Sequence, residues 1–163
     1  MSGPAWPVVR LPRSVAEAIV EHARTASPNE ACGLVVGSAR VADGGRARRY
    51  VPCRNAAASP SRYLVDRDDL LGVLAELDRT GEELWGVVHS HVRTTAVPSS
   101  TDIGEAVWPA AVYLVVSLAA GASGAADASA VVASPDLRAW RIADGAASEL
   151  RLEIGDEASE AGA

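Results

Sequence analysis

The sequence predicts a single α/β domain, a mixed β-sheet with helices packed on it. Three observations lead there. Short apolar runs at 32–37, 84–89 and 111–118 read as buried strands. Segments 15–25 and 66–79 instead place their apolar residues at helical spacing. Turn signals at 43–45 and 144–145, Asp-Gly-Gly and Asp-Gly, mark tight reversals between strands.

The elements follow in order. Segment 8–11 is a short strand. Ser14 is the expected N-cap of the first helix, with Val15, Ile19 and Val20 on its apolar face. Ser27, Pro28 and Asn29 break that helix, and Glu30 stands at the mouth of strand 32–37. Segment 48–53 is the return strand of a hairpin. A loop over 55–61 leads to a short strand at 62–65. Asp66 caps the second helix, whose apolar face is Leu70, Leu71, Leu74 and Leu77, and Gly81 follows its end. Strand 84–89 is central, 93–97 is a polar loop, and 99–107 is a short helix closed by Pro109. Strand 111–118 precedes a Gly/Ala/Ser stretch over 119–127 read as a mobile loop. Strands are expected at 130–133, 137–142 and 148–154. The domain thus spans 8–154, and the small acidic tail 155–163 is expected to be disordered.

Composition narrows the function classes. The chain has 163 residues, 48% hydrophobic and 22% charged, which suits one folded domain. A formal net charge of −6 argues against a nucleic-acid partner. The cluster of Arg46, Arg48 and Arg49 reads as a solvated turn entering a strand. No basic segment followed by an apolar one opens the sequence, and the most apolar run, 110–120, is too short to cross a bilayer. No membrane partner is expected. Cys32 and Cys53 are too few for a disulfide framework and fit a reducing cytoplasm. They would meet only if adjacent strands brought them together, and free thiols are the expectation.

The informative residues are His89, His91 and Asp102. Period two at a strand end puts both imidazoles on one face of the sheet. Asp102 falls in the first turn of the following helix, and the polar loop between lets its carboxylate fold back. Two His and one Asp leave an open position for water, the mark of a catalytic rather than a structural zinc site. The bland readings are real: a lone His is usually core or surface, Asp102 suits a helix dipole, and Ser99 suits an N-cap. His22, on the first helix, is read as solvated. Two of the three histidines in one H-x-H shift the balance toward metal. The same ligand set also serves non-haem iron oxygenases.

The spacing His89-Ser90-His91, then Ser99 and Asp102, resembles the JAMM motif of MPN-plus metalloproteases, H-x-H-(x)7-S-x-x-D. Upstream, Glu30 to Gly37 is similar to the family's E-x-x-G-x-x-x-G segment. The match runs from about Val8 to the strand around Trp140, and Val92 replaces the proline usual after the second histidine. The resemblance implies an MPN, cytidine-deaminase-like fold, a zinc ion on His89, His91 and Asp102, and Glu30 as general base. It implies Ser99 as hydrogen-bond donor to the tetrahedral oxyanion. Ser90 would be a supporting residue.

The layout is close to a short bacterial branch of that family. Its actinobacterial members include a hydrolase that frees cysteine from a ubiquitin-like sulfur-carrier protein, in cysteine biosynthesis. The implied partner is therefore a small ubiquitin-like protein with a Gly-Gly C-terminus. Its extended tail would dock as an added strand at the sheet edge leading to zinc, between loops 55–63 and 93–97. Two other readings stand beside this one: an isopeptidase that removes ubiquitin-like modifiers from lysines, and a non-catalytic MPN scaffold. The iron-oxygenase reading leaves Glu30 and Ser99 unexplained. A homodimer is open, because nothing in the sequence sets the oligomeric state.

Overall fold

A computed structural model describes residues 5–119 and 135–156. The expected strand at 130–133, most of the 119–127 stretch, and the tail from 157 lie outside them.

Six strands form one mixed sheet in the order β3-β2-β4-β5-β6-β7: β2 (Cys32–Gly37), β3 (Ala47–Cys53), β4 (Glu83–His91), β5 (Val112–Ser117), β6 (Asp136–Ala143) and β7 (Ala146–Leu150). Only β4 and β5 run parallel, which requires a crossover between them; the others pair antiparallel. The central strands β2 and β5 are buried along their whole length, as their Val-rich runs require. A separate parallel pair joins β1 (Val9–Pro12) to β8 (Leu152–Gly155). The strand expected at 148–154 is therefore two strands. The chain turns off the main sheet at Arg151, whose carbonyl accepts from Val9 N–H at 2.9 Å. Gly155 closes β8 rather than opening a tail.

Helix α1 (Arg13–Ala26) lies on one face of the sheet, burying Val15, Ala16, Ile19 and Ala23 against Val35, Val88, Leu114 and Val116. Its cap position is Pro12 with no side-chain cap, so Ser14 is not the N-cap; β1 runs straight into the helix and Ser14 already sits in the first turn. Helix α2 (Arg67–Thr80) covers the other face through Val73 and Leu77, against Leu34, Val36 and Val115. Asp66 caps it as expected, accepting from Asp68 and Asp69 N–H, and Gly81 closes it in the left-handed conformation (φ 76°). Leu70 and Leu74 are half-buried, whereas Leu71 is half exposed, because its position falls at the flank of the stripe centred on Val73 and Leu77.

Two smaller expectations are corrected. The strand at 62–65 is one isolated bridge, Asn55 with Val65, because side-chain bonds replace a ladder there. His22 is half-buried, bonds Tyr50 Oη at 2.7 Å, and its pKa is lowered by burial. The arginine turn is exposed at Arg46 and Arg48 as expected, and it carries ion pairs: Arg48 meets Glu82, and Arg49 meets Glu76 and Glu82. The turn at Asp144 and Gly145 has both φ positive (54° and 74°), as a two-residue hairpin requires.

Both glycines of the Glu30–Gly37 motif answer to packing. A Cβ on Gly33 would sit 2.5 Å from the Tyr50 ring, and one on Gly37 2.6 Å from Trp85.

Cys32 and Cys53 are direct cross-strand partners, and both thiols are free and buried. Burial first, then each other and nearby carboxylates, pushes Cys32 up to about 12; burial and Asp69 and Asp66 push Cys53 up to about 11. Neither thiol should alkylate in the native protein at pH 8, and both should in denaturant. Unfolded thiols titrate near about 8.5. Raised native values mean this stabilisation is complete below that pH and is lost as pH rises toward 11. Melting temperature should hold to about pH 8.5 and fall beyond it. Rapid native labelling would contradict the buried-thiol account.

Candidate active site

The site grows from the end of β4. The β2–β4 ladder pairs Cys32 with His89, and one step on Ser90 N–H donates to Ala31 O at 3.0 Å. Continuing that register sets Glu30 beside His91. Period two then puts Glu30, Cys32, His89 and His91 on the α2 face and turns Ser90 to the other. Ser90 Oγ accepts from Ala31 N–H at 2.7 Å, so this small hydroxyl fastens the Glu30 segment to β4.

The chain leaves β4 through residues 92–98 and enters α3 (Ser100–Glu105), shorter than the helix expected at 99–107. Ser99 is its N-cap. Ser99 Oγ accepts from Asp102 N–H at 3.1 Å and Asp102 Oδ2 accepts from Ser99 N–H at 2.8 Å, a reciprocal capping box. The cap aims the Asp102 carboxylate back at β4. The site thus occupies the carboxyl ends of the two parallel strands, where α/β sheets open their crevices.

The three expected ligand atoms converge. His89 Nε2 and His91 Nε2 are 3.1 Å apart, and Asp102 Oδ2 is 3.0 Å from the first and 3.1 Å from the second. All three residues are buried. Tetrahedral zinc with bonds of about 2.0–2.1 Å separates its ligands by about 3.3 Å, close to this triangle. His91 Nδ1–H donates to Thr95 O at 2.7 Å, which leaves Nε2 facing the carboxylate oxygen, where it either shares a proton with Asp102 or, deprotonated, offers its lone pair to a metal. Atoms so crowded call for a proton or a cation between them, and the residues fit a cation. Burial lowers the His89 pKa, outweighing the Asp102 hydrogen bond. For Asp102 burial works the other way, but hydrogen bonds from His89 and His91 hold its carboxyl far below the usual range. His91 is raised: burial opposes, and Asp102 and the Thr95 carbonyl prevail.

Glu30 is 4% exposed, and its Oε2 is buried without a partner. Burial pushes its carboxyl up to about 7, with His91 pulling down and Asp102 pushing up. A buried acceptor with nothing to accept from is what a site for an activated water leaves in the protein alone. All five expected residues, Glu30, His89, His91, Ser99 and Asp102, therefore lie at one place in the fold.

Two further residues, outside the expected set, join them. Tyr63 stacks on His89, ring centroids 4.3 Å apart and planes 14° from parallel. Asn55 bonds the carbonyl of Glu30 at 3.0 Å. Their signal was their place in the 55–63 loop, named as a wall of the site. Among the described residues the edges of the sheet are β3 and β7, and β3 stands two strand spacings, about 10 Å, from β4.

The model of the prokaryotic homologues of the JAB domain matches residues 12–143. The chain belongs to this family. The CysO-cysteine peptidase of Mycobacterium tuberculosis is 33% identical over 150 residues, covering 90% of this chain and 91% of the relative. The desampylase of Haloferax volcanii is 33% identical over 106 residues, 62% of this chain and 74% of that one. The solution structure of a protein from Desulfitobacterium hafniense superposes with a TM-score of 0.72 at 28% identity, covering 91% and 94% of the two chains. The two chains thus share one fold along nearly their whole length. Among the described residues no helix is long and apolar enough to cross a membrane.

Proposed function

We propose that this chain is a zinc-dependent peptidase that cuts the amide bond at the C-terminus of a ubiquitin-like carrier, releasing cysteine from a carrier–cysteine adduct. The observation that carries the reading is the buried, unpartnered Oε2 of Glu30 beside the triangle of His89, His91 and Asp102. The near full-length similarity to a CysO-cysteine peptidase supports the choice of substrate. Bound on His89, His91 and Asp102, zinc would supply an acidified water and polarise the scissile carbonyl.

The residues supply the rest. Glu30 takes a proton at its carboxylate and returns it to the leaving amine, a task suited to a group near 7. Ser99 Oγ already accepts from Asp102 N–H, so its own O–H points to a second partner, the oxyanion of the tetrahedral intermediate. The Thr95 carbonyl holds His91 in one tautomer, and the Tyr63 ring holds His89 in one plane. Val92 leaves the loop without a proline's fixed φ, while the His91–Thr95 and Ser117–Thr94 bonds pin that loop instead.

Mass spectrometry decides the substrate. A carrier ending Gly-Gly-Cys should lose one cysteine residue when incubated with the zinc-loaded enzyme. The similarity to desampylase favours one competitor, an isopeptidase. Cleavage of an ε-linked conjugate with an untouched Gly-Gly-Cys carrier would replace the proposed reading with that one.

A further inference from the structure

Every polar atom of the Asn55 side chain is in use. Nδ2 donates to Glu30 O and Arg62 O, each at 3.0 Å. Oδ1 accepts from Ala57 N–H and Leu64 N–H, each at 3.0 Å. Three of these bonds fold the 55–65 loop upon itself; the fourth leaves the loop and reaches the backbone of Glu30. The loop makes a second hold on the same residue, since Ser59 O accepts from Glu30 N–H at 2.9 Å. Glu30 is thus gripped at both its N–H and its C=O by one loop, while Ser90 fixes the next N–H from β4. That loop also delivers Tyr63 onto His89.

A glutamate carboxylate reaches its target through a flexible stem, so its aim depends on where its backbone is fixed. We propose that Asn55 is a positioning residue: its carboxamide N–H sets the backbone of Glu30 relative to His89 and His91, and so sets the reach of the Glu30 carboxylate. The two halves of the amide divide the work. Oδ1 builds the loop, and Nδ2 ties the loop to Glu30. The inference rests on the reading of Glu30 as the proton-transfer group.

Asn55→Asp separates the halves. It keeps an acceptor for Ala57 and Leu64, removes both donors, and sets a carboxylate oxygen against the carbonyls of Glu30 and Arg62. Amide hydrogen exchange reads the backbone without any substrate. Exchange at Glu30 should quicken in Asn55→Asp while α1 stays protected as in wild type. With zinc content unchanged, kcat for cysteine release should fall about 10–100-fold and KM should stay within about threefold. Unchanged exchange at Glu30, a kcat within about twofold of wild type, or a kcat loss matched by zinc loss would each overturn the proposal. Glu30→Ala serves as the control. Wild-type turnover there would sink the reading of Glu30 itself, whereas an inactive Glu30→Ala beside a normal Asn55→Asp would sink the Asn55 proposal alone.

Discussion

Glu30→Gln should fold, retain its metal and turn over about 10²–10⁴-fold more slowly than wild type. The change is nearly isosteric, so the grip on the Glu30 backbone by Ser59 and Asn55 survives it. What disappears is the ability to take a proton. Burial dominates the Glu30 environment and pushes its carboxyl up to about 7. The competent form is the carboxylate, so kcat/KM should rise with pH as this group ionises. A bound cation favours the ionised form and moves that rise to or below pH 7. The rise should vanish in Glu30→Gln, whose residual rate should not follow this ionisation. Steady-state kinetics across pH 5–8 on both proteins check this. A variant keeping more than about a tenth of wild-type kcat would exclude Glu30 as the proton carrier.

Asp102→Ala should abolish activity for two reasons at once, and a second variant separates them. The carboxylate is one corner of the ligand triangle and also half of the capping box of α3. Removing it weakens metal binding by more than the about 10–100-fold typical of a supporting residue. Losing the reciprocal bond from Ser99 N–H weakens the capping box as well, by about 1.5–3 kcal/mol for a hydrogen bond to a charged group, while Ser99 Oγ still caps the helix. Asp102→Asn keeps an acceptor for Ser99 N–H and removes the charge. It should melt near wild type yet bind zinc poorly. Isothermal titration with zinc beside thermal melts distinguishes the two contributions. Full zinc affinity in Asp102→Asn would remove Asp102 from the ligand set.

Much of the site was legible because its chemistry is local in sequence. H-x-H at a strand end needs only period two to put both rings on one face, and the Ser99–Asp102 spacing is itself a capping box. Glu30 is distant along the chain, and only the antiparallel register of β2 and β4 brings it to His91. The family motif supplied that link, since no local pattern encodes register. The contacts of Asn55 and Tyr63 stayed unread for the same reason. Nothing in the composition of a polar loop says which amide reaches Glu30 or which ring covers His89. The long apolar strands and the Asp66 cap were readable as local signals. The ends of elements were less so: β1 flows into α1 without a side-chain cap, and a continuous stretch near the C-terminus divides into β7 and β8 to serve two sheets. Both depend on where neighbouring strands lie, which is tertiary information.

The central claim is that His89, His91 and Asp102 hold a catalytic zinc. Elemental analysis of the purified chain against His89→Ala tests it most directly. The account predicts about one zinc per chain in wild type and almost none in the variant, with both proteins folded. Equal zinc in the two, or a fully active wild type after exhaustive chelation, would contradict it.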